Sequence, residues 1–262
     1  MGDARGAGMS KWALVTGATS GIGESFTRLL ARDGYSIVLV ARDENRLLER
    51  AFVLREKFGI ETRVVRSDLS TKEGLTEVEK ILHEMKIDVL INNAGYGLNK
   101  SFSQSDIADE QQVLDVLVTA PMRLCHIAVP QMKARNSGII INVSSVAGFI
   151  AGGAYSAMKS YVTVLSESLH TELRGTDVKV MALCPGFTRT EFHQRAHMKM
   201  TGLPSFMWLD ADQLVRDGWA DAQAGKAVSV PGWQYRVLLG VIAILPRSVV
   251  RRVGMTMRKK QR

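Results

Sequence analysis

The sequence predicts an α/β protein: a doubly wound parallel sheet with helices on both faces, in a single domain. Three observations predict it. Short runs rich in β-branched residues alternate with longer amphipathic stretches, as parallel strands and their crossover helices do. A glycine-rich turn, Thr16-Gly17-Ala18-Thr19-Ser20-Gly21-Ile22-Gly23, follows the first run directly. The 262 residues also show no internal repeat or low-complexity linker that would divide them.

Taken in order, the strands are expected at 13–15, 36–40, 62–66, 89–91, 138–143 and 179–183. These are the short apolar runs Ala-Leu-Val, Ser-Ile-Val-Leu-Val, Thr-Arg-Val-Val-Arg, Val-Leu-Ile, Gly-Ile-Ile-Ile-Asn-Val and Lys-Val-Met-Ala-Leu. Helical patterns lie between and after them at 23–33, 44–58, 71–85, 109–134, 155–174 and 210–224. Residues 11–226 make one domain, preceded by a leader at 1–10 expected to be disordered and followed by a tail at 227–262.

Composition narrows the function classes. Two cysteines in a chain long enough to bury a large core exclude a disulfide framework. Cys125 and Cys184 are expected as buried thiols in a reducing, cytoplasmic compartment. The leader MGDARGAGMS has no apolar core for a secretion signal, and Gly6 stands where a myristoylation signal has Ser or Thr. No apolar run reaches the roughly 18 residues of a membrane span, so none is expected. The net charge of +8 is confined to the tail: residues 1–226 carry 26 cations against 26 acids, and 227–262 carries eight cations and no acid. A nucleic-acid partner is not expected, because no recognition motif or interleaved stacking aromatics accompany that charge.

Chemistry enters through two clusters. Glycines at a strand-to-helix turn let backbone N–H groups approach a pyrophosphate at the positive end of a helix, so Gly17, Thr19, Ser20, Gly21, Ile22 and Gly23 are candidate cofactor ligands. The second strand ends in Val40-Ala41-Arg42-Asp43. An acid at that tip would favour NAD; Arg42 favours the 2′-phosphate of NADP, unless it is a solvated charge beside Asp43. Further along, Tyr155 and Lys159 stand four apart on one helix face, close enough for the ammonium to favour the phenolate, with Ser144 and Ser145 upstream.

With Asn92-Asn93-Ala94-Gly95 and Cys184-Pro185-Gly186-Phe187-Thr188 added, the chain over roughly 11–192 resembles the classical short-chain dehydrogenase/reductase family. The run SSVAGFIAGGAYSAMK and Val230-Pro231-Gly232-Trp233 resemble a bacterial subgroup of uncharacterised, DltE-like oxidoreductases. The resemblance implies a Rossmann-like sheet and an NADP(H)-dependent carbonyl–alcohol oxidoreductase. It implies that Tyr155 is the general acid/base, that Lys159 tunes it and holds the nicotinamide ribose, and that Ser145 holds the substrate oxygen. Ser144 is expected to face the sheet. Asp68, beside Leu69, is implied as acceptor for the adenine amine; Asn93, Ala94 and Gly95 as the adenosine turn; Pro185, Gly186 and Thr188 as the nicotinamide segment. A homo-oligomer, dimer or tetramer, on the helices at 109–134 and 155–174 is implied as well.

Two departures from the family stand out. Leu117 occupies the place of an asparagine that normally holds a relay water, and the segment from Ser145 to Tyr155 is shorter than is common, with Gly152 and Gly153 available for its turn. They motivate an alternative, a catalytically weak nucleotide-binding or membrane-surface protein that keeps the fold. The family's mobile lid falls at about 191–209, where Phe192, Met198, Met200, Leu203, Phe206, Met207 and Trp208 suit an apolar carbonyl or alcohol substrate. His193 and His197 lack a third ligand, so no metal is expected. The apolar run 237–245, flanked by aromatics and arginines, has two readings: a helix in a membrane interface, or one packed on the substrate pocket or a neighbouring subunit.

Overall fold

The computed structural model describes residues 10–191 and 204–251. Seven parallel strands form one sheet in the order β3-β2-β1-β4-β5-β6-β7. They are β1 (Trp12–Thr16), β2 (Ser36–Ala41), β3 (Thr62–Arg66), β4 (Val89–Asn92), β5 (Gly138–Val143), β6 (Val178–Leu183) and β7 (Val228–Ser229). Strands β1, β2, β4, β5 and β6 are buried almost throughout, which is why they read as continuous apolar runs. The outer strand β3 is only partly buried, with Arg63 and Arg66 exposed.

Helices cover both faces. On one lie α1 (Gly21–Arg32), α2 (Glu44–Phe58) and α7 (Ala211–Gln223), which bury Phe26, Leu30, Leu47, Leu54 and Trp219 against the sheet. On the other lie α3 (Lys72–Glu84), α5 (Ala120–Ala134) and α6 (Ala154–Glu172), burying Leu75, Val78, Leu124 and Leu173. Side-chain caps set several starts: Asp43 accepts from Arg46 N–H at 3.1 Å to open α2, and Thr71 from Gly74 N–H at 3.0 Å to open α3.

Three sequence expectations are revised. The helix expected at 109–134 is broken: α4 (Ile107–Leu114) passes through a π-helical turn, Asp115–Thr119, before α5. Periodicity cannot register one inserted residue in an otherwise continuous pattern. The helical stretch Ile107–Ala134 is also long and apolar enough by composition to cross a membrane, contrary to expectation, but half of its most apolar window is buried in the fold, as in a core helix. Finally, residues assigned to the tail contribute β7, which pairs Val228 with Ala182, and α8 (Trp233–Ile244). A two-residue strand has no period to detect. The leader at 1–9, the histidines 193 and 197, the lid residues Phe192, Met198, Met200 and Leu203, and the cations beyond Arg251 lie outside the described residues.

Candidate active site

The sheet order reverses between β1 and β4, and a cleft of about 1160 Å³ opens there at the carboxyl ends of the strands. Every site residue named from the sequence lines this cleft except Gly23. Gly23 lies behind the wall, where an added Cβ would stand 2.2 Å from Gly17 O and 2.4 Å from Asn93 Nδ2. Its role is to let α1 close onto the turn. Gly17 has φ +67°, a left-handed conformation that side chains resist, and a Cβ there would press on Asn93 and Ala94. Asn93 ties the turn to β4: its Nδ2 donates to Thr16 O at 2.9 Å, and its backbone N–H donates to Thr16 Oγ1 at 2.9 Å. The result is a smooth backbone cradle at the start of α1, suited to a pyrophosphate.

At the tip of β2, Arg42 is exposed on the cleft wall with its guanidinium 6.0 Å from the Tyr96 ring centre. Asp43 is engaged as the cap of α2. Arg46, which no motif singles out, also lines the cleft and makes a two-pronged pair with Glu191 at 3.1 and 2.7 Å. Glu191 holds the Arg46 guanidinium above its ordinary range. Asp68 lies on the same wall, where its carboxylate accepts from Ser70 N–H at 3.0 Å and Ser70 Oγ at 2.8 Å.

The opposite wall carries Ser145, Tyr155 and Lys159. Ser145 caps a 3-10 turn, Val146–Phe149, its Oγ accepting from Ala147 N–H at 3.1 Å. After that turn Gly153, at φ +98°, starts α6 and brings Tyr155 back to Ser145, so the shortened segment still lets the two hydroxyls hydrogen bond. Lys159, 5% exposed, stands 5.8 Å from the Tyr155 ring centre and donates to Val143 O at 2.7 Å. Ser144 points its hydroxyl into α6, donating to Lys159 O at 2.7 Å.

The electrostatics differ from the expectation that the lysine lowers the tyrosine. Burial of its hydroxyl pushes Tyr155 up, opposed by the bond from Ser145. Burial lowers Lys159 to about 8, opposed by the nearby Cys184 thiol. In the protein alone, desolvation is the largest cause of both shifts.

Behind Lys159 is a cavity of about 10 Å³, room for roughly one water, whose lining includes Thr16, Asn92 and Leu117. Leu117 offers it no polar atom. Asn92 lines it as well, and its Oδ1 is buried with no hydrogen-bond partner.

The apolar end of the cleft includes Tyr96 and Leu98, which sequence patterning did not mark, and, from the apolar tail, Tyr235, Leu238, Val241 and Ile242. Four of them come from α8, so of the two readings of the apolar tail, packing on the pocket describes its inner face. Tyr235 is the anchor, donating to Met207 O at 2.5 Å and accepting from Phe187 N–H at 2.9 Å. Leu209 N–H donates to Phe187 O at 2.8 Å and Arg189 N–H to Leu209 O at 3.0 Å, which brings Leu209 beside residues 187–189.

The family model described as short chain dehydrogenase matches residues 11–200. A very-long-chain 3-oxoacyl-CoA reductase of Anas platyrhynchos is 29% identical over 268 residues, covering 99% of this chain and 83% of its own. A short-chain dehydrogenase from Sphingobium yanoikuyae, solved in complex with NADPH, is 31% identical with a TM-score of 0.82, covering 90% of this chain and 96% of that one. The bulky-bulky ketone specific alcohol dehydrogenase from Comamonas testosteroni is 30% identical with a TM-score of 0.77, covering 91% and 96%.

Proposed function

Since this chain belongs to the short chain dehydrogenase family of oxidoreductases, we propose that it uses NADP(H) to interconvert a carbonyl and an alcohol on a bulky apolar substrate. The observation that carries the reading is the meeting of Ser145, Tyr155 and Lys159 on one wall of a cleft whose other wall is the glycine cradle and Arg42. The residues fit a dinucleotide, because the cradle is bare backbone: Gly17 holds a left-handed conformation that side chains resist, and Gly23 behind it leaves no Cβ between α1 and the turn. When bound, the nicotinamide supplies or accepts the hydride.

Tyr155 donates its phenolic proton to the carbonyl oxygen in reduction and takes it back in oxidation. Its raised pKa keeps that proton in place across neutral pH. Ser145, already bonded to the Tyr155 hydroxyl, holds the same oxygen. Lys159, charged below about 8, eases formation of the Tyr155 phenolate. The unpartnered Asn92 Oδ1 offers the small cavity, which Leu117 and Lys159 also line, the polar atom that Leu117 lacks. The Ser145–Tyr155 bond argues against the catalytically weak alternative.

The apolar substrate end supports a bulky ketone or a long 3-oxoacyl group, in keeping with the specificities named for the Comamonas and Anas relatives. A bacterial DltE-like subgroup, carried by the run at 144–159, belongs to the same proposal. So does a reducing, cytoplasmic setting: both cysteines are free and buried, and burial pushes Cys125 up to about 12 and Cys184 up to about 11, keeping them inert thiols.

Cofactor choice is tested by following nicotinamide fluorescence in titrations with NADPH and NADH. Arg42→Ala is expected to weaken NADPH about tenfold or more, the scale of one lost charge-assisted bond, and to leave NADH unchanged. Equal weakening of both would remove Arg42 as the 2′-phosphate ligand.

A further inference from the structure

Helix α8 is apolar on both sides. Tyr235, Leu238 and Ile242 face the cleft. On the outside, one turn apart, stand Trp233 at 65% exposure, Val237 at 58%, Val241 at 47% and Ile244 at 83%. Phe206, 59% exposed, extends the patch, held next to α8 by Gln234 Nε2 donating to Phe206 O at 3.0 Å. A helix that is apolar all round is normally covered all round, and within the described residues nothing covers this side. Arg236, within the helix, and Arg247 and Arg251, just beyond its end, are all exposed, in a segment, 227–262, that contains no acid and accounts for the whole net charge.

We propose that this outer face docks on an anionic lipid surface, with α8 lying in the plane of the interface. Its 12 residues extend about 18 Å, too short to span a bilayer core of about 30 Å. An apolar strip with a tryptophan at its start and arginines beside and beyond it is the arrangement that seats a helix at the headgroup boundary and draws it to negative charge. A second copy suits the face less well. A two-fold contact would set this patch against the same patch of another copy, and its arginines would find no acid in that copy's 227–262 segment to answer them. Val241 and Leu245 both line the cleft and are exposed, so the mouth of the cleft meets the docking face along this helix. An apolar substrate dissolved in the lipid would then reach the cleft without crossing water; this last step rests on the proposed reductase function, whereas the docking does not.

The test is co-sedimentation of the full chain with vesicles of phosphatidylcholine alone and of phosphatidylcholine mixed with phosphatidylglycerol. Binding to the mixed vesicles is expected to be about tenfold tighter or more, since an anionic surface draws the cations of this segment to it. Val237→Asp combined with Ile244→Asp, neither of which lines the cleft, is expected to abolish binding while NADPH affinity and the thermal midpoint are kept. Arg247→Glu with Arg251→Glu is expected to erase the preference for anionic vesicles and serves as the second arm should the aspartate variant not fold. Wild-type protein that stays in the supernatant with both vesicles overturns the proposal. So does a dimer in sedimentation analysis that the aspartate variant turns into a monomer without any vesicle binding, since the face then belongs to a second copy. Binding is read without turnover, so the outcome is independent of the enzymatic reading.

Discussion

Replacing Tyr155 with Phe is expected to lower turnover by about 10² to 10⁴-fold, the range that a positioned proton donor supplies, while NADPH affinity stays the same. Phenylalanine keeps the ring that packs beside Val113, Leu117 and Met158, so the fold is unaffected and only the hydroxyl bonded to Ser145 is lost. The pH dependence of the wild type belongs to the same expectation. Tyr155 is protonated throughout the neutral range, so the group that titrates first is Lys159, lowered to about 8. The reduction rate is expected to be level below that value and to fall above it, as the ammonium that eases phenolate formation is lost. Steady-state rates from pH 6 to pH 10 read this directly. A rate that holds level to pH 10, or a Phe variant with undiminished turnover, would take the proton chemistry away from this pair.

The second large effect is on stability. A Cβ at Gly186 would stand 2.0 Å from Tyr235 Cζ and 2.1 Å from Cε2, inside the ring itself. Tyr235 is 1% exposed and its hydroxyl joins two backbone groups, Met207 O and Phe187 N–H. Gly186→Ala is therefore expected to evict the ring and strand both partners. The cost should be about 2 to 4 kcal/mol from overpacking and broken buried bonds, or a thermal midpoint lower by roughly 5 to 15 °C. Tyr235→Ala alone should destabilise by a similar amount, and the double variant little more than the worse single one, since both remove the same seating of α8. Additive losses would mean that Gly186 and Tyr235 act separately, and a thermal midpoint unchanged in Gly186→Ala would contradict the packing.

The sheet was legible because buried parallel strands leave unmistakable apolar runs, as at Gly138–Val143, and because the turn at Gly17 sits where the sheet order later reverses. Where the energetics are tertiary, legibility ended. The π turn at Asp115–Thr119 hides inside a pattern that remains apolar on one face, and β7 is too short to have a pattern. The site divides in the same way. Ser145, Tyr155 and Lys159 are recognisable by type and spacing, and so are the glycines, though Gly23 shapes the wall from behind. Arg46 and Tyr235 were not recognisable, because their meaning depends on partners 145 and 48 residues away, Glu191 and Phe187. The tail shows the limit most clearly. Its charge bias was plain in the sequence, but the separation of an inner face on the cleft from an outer face in solvent exists only once α8 is seated on Gly186.

The central claim, hydride exchange between NADP(H) and a bulky apolar carbonyl in this cleft, is tested most directly by tracing the hydride. The protein is incubated with NADPH carrying deuterium at the transferred position of C4 and a panel of bulky apolar ketones and 3-oxoacyl thioesters, and the products are read by mass spectrometry. The expected result is an alcohol heavier by one deuterium at the carbinol carbon, formed by the wild type and almost absent with Tyr155→Phe. A protein that binds NADPH yet forms no labelled alcohol from any member of the panel would contradict the account.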